Sequence, residues 1–136
     1  MSFNLMNSID YKVGIYIRLS KEDEEKEKYS ESESIQNQRA LLMQYIKENK
    51  LNFIAEYVDD GVSGTSFDRP GFNKMIEDIE NGKINMVITK DLSRLGRNYV
   101  QSGYYTETYF PEHNVRYIAI LDNIDTAEES ANNDIA

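Results

Sequence analysis

The sequence contains no cysteine, no tryptophan, one histidine and two prolines among its 136 residues. Without cysteine, neither a disulfide framework nor a thiolate metal site can form, and the single His113 excludes a site built from several histidines. One histidine also leaves little support for a Ser/His/Asp triad. No apolar run is long enough to span a membrane, and the N-terminus lacks the basic and apolar leader of secreted proteins. We therefore expect a cytoplasmic protein with no membrane association.

The net charge of −9 is unevenly distributed along the chain. Residues 22–33 (EDEEKEKYSESE) hold seven acidic residues and two lysines, and residues 122–136 hold five acidic residues and no basic one. The remainder has 12 acidic and 13 basic residues, so its charge neither favours nor excludes a polyanionic partner. A hydrophobic content of 40% in a chain of this length predicts one folded domain.

Short apolar segments alternate with segments of helical periodicity. We predict strands at residues 12–19, 52–58, 84–89 and 115–121, and helices at residues 35–49, 70–80 and 99–110. Pro111 should bend or end the last helix, because proline has no amide hydrogen to donate. This alternation predicts an α/β domain with a mostly parallel central sheet and helices on both faces. We expect residues 1–10 to be a leader, 11–126 the domain, and 127–136 a linker that is cut short.

Four of the six arginines lie near the carboxyl ends of predicted strands or in the segments that follow them. Ligands gather at the carboxyl ends of strands in open α/β sheets, which makes these positions informative. Arg94 and Arg97 lie three residues apart in the segment 89–98 (TKDLSRLGRN), a spacing that predicts one helix face and a phosphate clamp. Arg18 lies near the end of the first predicted strand, and Arg69 follows the second.

Ser20 lies two positions after Arg18 and should point to the same side of the first strand. A serine beside fixed guanidinium groups could attack phosphorus, with the arginines stabilising the charge that develops on the phosphate oxygens. Ser20 with Asp23 also fits an ordinary helix cap. Arg69 could be a solvent-facing residue and Gln38 a polar helix position.

Motifs of nucleotide and ester hydrolases are absent, including the P-loop, the dinucleotide fingerprint and the nucleophile elbow. One alternative is a phospho-receiver or a non-catalytic interaction module, with Asp59 and Asp60 as the acidic pair and Thr89 and Lys90 after another strand. The order of these segments fits a receiver badly. A plain DNA-binding regulator lacks a helix-turn-helix signal or a basic face.

Four segments in order resemble the N-terminal catalytic domain of serine recombinases, the resolvase/invertase family. They are YIRLS at 16–20, SIQNQ at 34–38, DDGVSGTSFDRPGF at 59–72 and KDLSRLGRN at 90–98. The acidic insert and the form of these motifs are most similar to the large serine recombinases of conjugative transposons and phages.

The resemblance implies a site-specific DNA recombinase in which Ser20 attacks a phosphodiester of double-stranded DNA and forms a 5′-phosphoserine link. Arg18, Arg69, Arg94 and Arg97 would surround the scissile phosphate, and Gln38 and Asp60 would order the site. The remaining supporting candidates are Ser63, Asp68 and Ser93. The family's reaction is a transesterification without metal or nucleotide cofactor, and it runs in dimers that join into a tetramer.

The chain departs from the family pattern at one position. Small resolvases carry an aspartate immediately before the R-L-G-R segment, whereas this chain has Ser93 there and Asp91 two positions earlier. We also expect a long dimer-forming helix and DNA-binding domains beyond Ala136. Residues 1–136 alone should then be inactive and bind specific DNA poorly.

Overall fold

The computed structural model describes residues 10–19, 35–61 and 69–127. In chain order the elements are β1 (Lys12–Leu19), α1 (Ile35–Glu48), β2 (Asn52–Asp60), α2 (Pro70–Glu80), β3 (Met86–Thr89), α3 (Leu92–Leu95), α4 (Tyr99–Tyr104), a π turn (Tyr105–Tyr109), α5 (Phe110–Glu112), β4 (Arg116–Ala119), a 3-10 turn (Ile120–Asp122) and β5 (Ile124–Asp125). The predicted alternation of strands and helices is confirmed, and β1 has the predicted bounds.

The strands form one sheet in the order β2-β1-β3-β4-β5. The first four strands pair in parallel, and β5 pairs antiparallel with β4. The predicted mostly parallel sheet is therefore confirmed, with the two-residue strand β5 as an addition that the sequence pattern did not indicate. Arg18 pairs in register with Asp59, and Leu19 with Asp60, so the carboxyl ends of β1 and β2 lie side by side.

Helices cover both faces of the sheet because alternate strand residues point to opposite faces. One core includes β1, α2, the π turn and α5, and its buried members include Tyr16, Phe72, Tyr109, Phe110 and Tyr117. The other core includes β1, α1, β3 and β4, with buried members that include Ile15, Leu42, Ile46, Ile88 and Ile118. This arrangement confirms the prediction of helices on both faces.

Helix α2 begins and ends where its sequence predicts. Pro70 occupies the first turn, where its missing amide costs no helical hydrogen bond. Phe72, Met75 and Ile79 are all buried on one side of the helix. Gly82 follows the helix with a φ of 73°, a conformation that glycine adopts without strain.

The helical segment after Tyr99 does not end at Pro111 but continues to Glu112. A π turn precedes the proline, and the Phe110 amide donates to the Tyr105 carbonyl five residues earlier. In an ordinary α-helix the ring of Pro111 would clash with the carbonyl of Glu107. The π turn, which is wider than an α-helical turn, includes Glu107 and directly precedes the segment with Pro111, where this clash would occur.

Strand β4 is shorter than predicted, because the chain turns at Ile120–Asp122. The Leu121 amide donates to the Lys90 carbonyl (2.8 Å), which ties this turn to the end of β3. Asn123 then adopts a φ of 54°, which reverses the chain into β5. In the described ranges, no helix has both the length and the apolar character needed to cross a membrane.

Candidate active site

Three arginines that the sequence singled out lie together at the carboxyl edge of the sheet. Arg18, Arg69 and Arg94 are only 0%, 1% and 3% exposed, and we call them the arginine cluster. Arg18 belongs to β1, Arg69 directly precedes α2, and Arg94 belongs to α3. Arginine is almost never fully buried unless its donors find acceptors, so the acceptors define this part of the molecule.

Helix α3 supplies these acceptors through its backbone carbonyl groups. Nη2 of Arg18 donates to the Ser93 carbonyl (2.6 Å), and its Nε donates to the Arg94 carbonyl (3.3 Å). Nη2 of Arg69 donates to the Leu95 carbonyl (2.6 Å). The last carbonyls of a helix have no partner within that helix and carry a partial negative charge. The C-terminal end of this short helix therefore anchors two guanidinium groups.

The backbone carbonyl of Arg18 in turn accepts hydrogen bonds from side chains of α3 and α1. It accepts from Nη1 of Arg94 (3.0 Å) and from Nε2 of Gln38 (3.2 Å) on α1. Gln38 is fully buried, so this polar helix position faces the protein interior. Elements from both faces of the sheet thus fix the end of β1.

Arg18 is the most constrained member of the cluster. Burial, together with the positive charges of Arg69, Arg94 and Arg97, lowers its pKa to about 10. Its Nη1 is buried and has no hydrogen-bond partner in the described part of the chain. A cationic donor in this condition is suited to an anion, which would accept the hydrogen bond and offset the repulsion.

Arg69 lies against aromatic rings. Its guanidinium carbon is 4.9 Å from the ring centre of Phe72 and 5.4 Å from that of Tyr16. Burial lowers the pKa of Arg69, whereas Tyr16, Asp59 and Tyr105 act in the opposite direction. The rings restrict the guanidinium to one plane while leaving it charged. The interpretation of Arg69 as a solvent-facing residue is wrong.

Asp59, and not its neighbour, makes the ordering contacts at the end of β2. Its carboxylate accepts from the Tyr16 hydroxyl (2.7 Å) and from the amides of Gly71 and Phe72 (both 2.8 Å). These contacts join β1 and β2 to the first turn of α2. Asp60, the residue for which the family resemblance implies an ordering role, is exposed. The strand register explains this difference. Asp59 pairs with Arg18 and therefore points to the same face of the sheet, whereas Asp60, the next residue, points to the other face.

The prediction that Arg94 and Arg97 share one helix face is wrong. Helix α3 ends at Leu95, and Gly96 is extended with φ 171° and ψ 154°. Arg94 is consequently buried, whereas Arg97 is exposed and lines a cavity of about 730 Å³ together with Ser93 and Tyr99. The two arginines therefore face different surroundings.

Ser93 occupies the position where small resolvases carry an aspartate, and its side chain contacts the carboxylate of Asp91. Its hydroxyl donates to Oδ1 of Asp91 (2.6 Å), which also accepts from the Arg94 amide (3.2 Å). Asp91 is the N-cap of α3, and its Oδ1 lies 4.0 Å from Nε of Arg94. A carboxylate is thus present at this position of the fold, supplied from two residues earlier in the chain.

Three residues that the sequence singles out, Ser20, Ser63 and Asp68, lie outside the described residues. Their site roles stay predictions, as do the chemical roles of the residues placed above. In the described ranges, no group of three or more histidine or acidic residues is arranged to hold a metal ion.

Comparison with known proteins gives a consistent result. Residues 13–135 match the family model described as "Resolvase, N terminal domain". A protein of Bacillus subtilis (strain 168) that is named as a candidate DNA recombinase is 34% identical over 85 residues, which are 62% of this chain and 16% of that relative. Bacillus phage phi105 has an uncharacterized immunity region protein 3 that is 36% identical over 80 residues, covering 58% of this chain and 93% of that protein.

Two solved structures have the same architecture. The N-terminal catalytic domain of TP901-1 integrase superimposes with a TM-score of 0.77 at 27% identity, covering 91% of this chain and 88% of that one. A resolvase family site-specific recombinase from Streptococcus pneumoniae gives a TM-score of 0.65 at 27% identity, covering 93% and 87% of the two chains. The match to the Bacillus subtilis protein spans about a sixth of that protein's length.

Proposed function

The chain belongs to the resolvase family and has the fold of a serine recombinase catalytic domain, and from this we propose that it cleaves and rejoins DNA within a site-specific recombinase. We propose residues 11–126 as the catalytic unit, acting on double-stranded DNA in the cytoplasm. The complete protein would work as a dimer that assembles into a tetramer, in the integration or excision of a mobile element.

The observation that carries this proposal is the arginine cluster at the carboxyl edge of the sheet. Buried cations held by backbone carbonyls, with Nη1 of Arg18 unpaired among the described residues, are suited to one phosphate group. Exposed Arg97 would contact the DNA backbone next to this phosphate. Ser20 follows Arg18 by two positions in the chain, so it is the serine that we assign to the attack.

The proposed step is a transesterification at phosphorus. Oγ of Ser20 attacks, a P–Oγ bond forms and the P–O3′ bond breaks, which leaves a 5′-phosphoserine link and a free 3′-hydroxyl. The serine loses its proton and the 3′ oxygen gains one, so one phosphate ester replaces another. The arginines act by stabilising the additional negative charge on the phosphate oxygens in the transition state.

Structure and comparison do not favour the phospho-receiver alternative. Such a site needs carboxylates that face a metal ion and a phosphate. Both oxygens of Asp59 instead accept from Tyr16, Gly71 and Phe72, which gives this residue an internal structural role. The Thr89 hydroxyl is likewise engaged, with the Tyr117 hydroxyl at 2.7 Å.

The test uses the complete protein that contains this chain, incubated with a plasmid that carries the DNA segments flanking its gene. The wild type should yield a covalent protein–DNA adduct on a denaturing gel, and Ser20→Ala should abolish it. A matched control is Ser32→Ala, a serine outside the four matching segments, which should keep the adduct. Persistence of the adduct in Ser20→Ala would refute the assignment of the nucleophile.

An arginine variant tests the phosphate contact separately. Arg18→Lys keeps a positive charge but removes the planar set of donors. We expect adduct formation to slow by roughly 10²–10³, the typical effect of losing one donor to a developing oxyanion. An unchanged rate would exclude Arg18 from the transition state.

A further inference from the structure

We propose that Asp91 is a positioning residue for the arginine cluster: its carboxylate holds α3 in place, and the carbonyls of α3 hold Arg18 and Arg69. This proposal rests on the proposed function for one point only, that the arginine cluster binds a phosphate of DNA. The contacts from which it is argued all lie within the chain. It also accounts for Ser93, whose hydroxyl is bound by the same carboxylate.

Helix α3 cannot be stable by itself. It has four residues, and an isolated helical turn is unfavourable because several backbone dihedrals are fixed for very few hydrogen bonds. Its N-terminal amides are held from outside by two carboxylates. Asp122 accepts from the Leu92 amide (2.6 Å), and Asp91 accepts from the Arg94 amide (3.2 Å). Of these two acids, Asp91 is the one that also contacts side chains of α3.

The position of α3 determines the position of the guanidinium groups. Three consecutive carbonyls, those of Ser93, Arg94 and Leu95, accept hydrogen bonds from the guanidinium groups of Arg18 and Arg69. A rotation or shift of this single turn would therefore displace both arginines at once. A displacement of about 1 Å can slow a positioned reaction by roughly 10²-fold.

Asp91 also contributes negative charge where the local charge is strongly positive. Its Oδ1 lies 4.0 Å from Nε of Arg94, and its side chain is 23% exposed. The hydroxyl of Ser93 holds the carboxylate by a short hydrogen bond (2.6 Å) and thereby limits its rotation. Asp91 and Ser93 thus act as a pair, in which the serine orients the acid and the acid orients the helix.

Four variants separate these contributions. Asp91→Ala removes both the cap and the charge, whereas Asp91→Asn keeps a capping oxygen without the charge. Ser93→Ala removes only the hydroxyl contact. Asp125→Asn is the matched control, because it breaks another aspartate–arginine pair, that with Arg116 (2.6 Å), which includes no residue of α3 or of the arginine cluster.

The direct readout is hydrogen exchange of the Arg18 Nε–H, followed by NMR on chain 1–136. Since this proton is bonded to a carbonyl of α3, Asp91→Ala should accelerate its exchange at least tenfold. The backbone amide of Ile15 in the centre of the sheet serves as the reference for global unfolding. Asp125→Asn should leave the ratio of the two exchange rates unchanged. Equal acceleration of both protons in Asp91→Ala would overturn the proposal, because Asp91 would then only add general stability.

A second readout uses inorganic phosphate as the probe of the cluster. We expect phosphate to raise the Tm of the wild type relative to chloride at equal ionic strength. In Asp91→Ala the phosphate affinity should fall by roughly fivefold to tenfold, the factor that matches the loss of one N-cap. Asp91→Asn should recover part of this loss, whereas unchanged affinity in Asp91→Ala would contradict the proposal.

The outcome can be separated from that of the proposed function. An adduct that survives in Ser20→Ala would refute the nucleophile and leave the exchange result for Arg18 intact. Conversely, unchanged exchange in Asp91→Ala would remove the positioning role of Asp91 and leave the assignment of Ser20 untouched.

Discussion

Replacing Asp59 by alanine should cost this domain a large part of its stability. The carboxylate caps α2 through the amides of Gly71 and Phe72, and loss of an N-cap costs about 0.5–2 kcal/mol. The substitution also removes the acceptor of the Tyr16 hydroxyl, and an unsatisfied buried donor costs about 1–3 kcal/mol. Together these predict a loss of roughly 1.5–5 kcal/mol, against a usual total of about 5–15 kcal/mol. Urea denaturation of chain 1–136, followed by far-UV circular dichroism, measures this loss.

Asp60→Ala is the matched control, since it removes the same side chain one position along the chain from an exposed site. Its stability should stay within about 0.5 kcal/mol of the wild type. If Asp59→Ala lost less than about 1 kcal/mol, or no more than Asp60→Ala, the assignment of the structural contacts to Asp59 would be refuted.

Three further predictions follow from the same region of the fold. Gly71→Ala should destabilise the domain by about 1–3 kcal/mol in urea denaturation, because its Cβ would lie 2.7 Å from the Val58 carbonyl oxygen. Burial raises the pKa of Asp78, but hydrogen bonds from a tyrosine and a lysine, with the charges of two lysines, hold that pKa below the usual 3.8. The ionised carboxylate should therefore stabilise the fold fully above pH 3.8, and this stabilisation should be lost as the pH falls through the lowered pKa. The difference in unfolding free energy between wild type and Asp78→Asn should accordingly narrow in acid. Tyr105→Ala should slow adduct formation more than Tyr105→Phe, because the ring contacts Phe72 beneath Arg69 (5.1 Å between ring centres) and the alanine variant alone loses that contact.

The sequence predicted the elements whose signals are local. The bounds of β1 follow from a continuous β-branched and apolar segment, and those of α2 follow from Pro70 and the apolar spacing behind it. Strand β5 has two residues and exists because the turn after β4 returns the chain alongside it, which a local pattern cannot reveal. The π turn before Pro111 likewise depends on how the helix accommodates the proline, whereas the pattern indicated only a bend or an end.

In the candidate site too, the sequence predicted some features, and others depend on tertiary contacts. The motifs selected Arg18, Arg69 and Arg94, and the structure brings these three together. Composition rules place arginine on the surface, and the burial of these side chains depends on carbonyls of α3 that only the tertiary structure supplies. Which of Asp59 and Asp60 caps α2 is likewise set by the tertiary structure, because only the residue of β2 that faces α2 can accept from its amides.

The most direct test of the central claim is to identify the residue that becomes bound to DNA. The covalent adduct of the complete protein would be digested with nuclease and protease and analysed by mass spectrometry. Our account predicts a nucleotide 5′-phosphate on the peptide that contains Ser20. A nucleotide attached to any other residue, or an adduct through the 3′-phosphate, would contradict it.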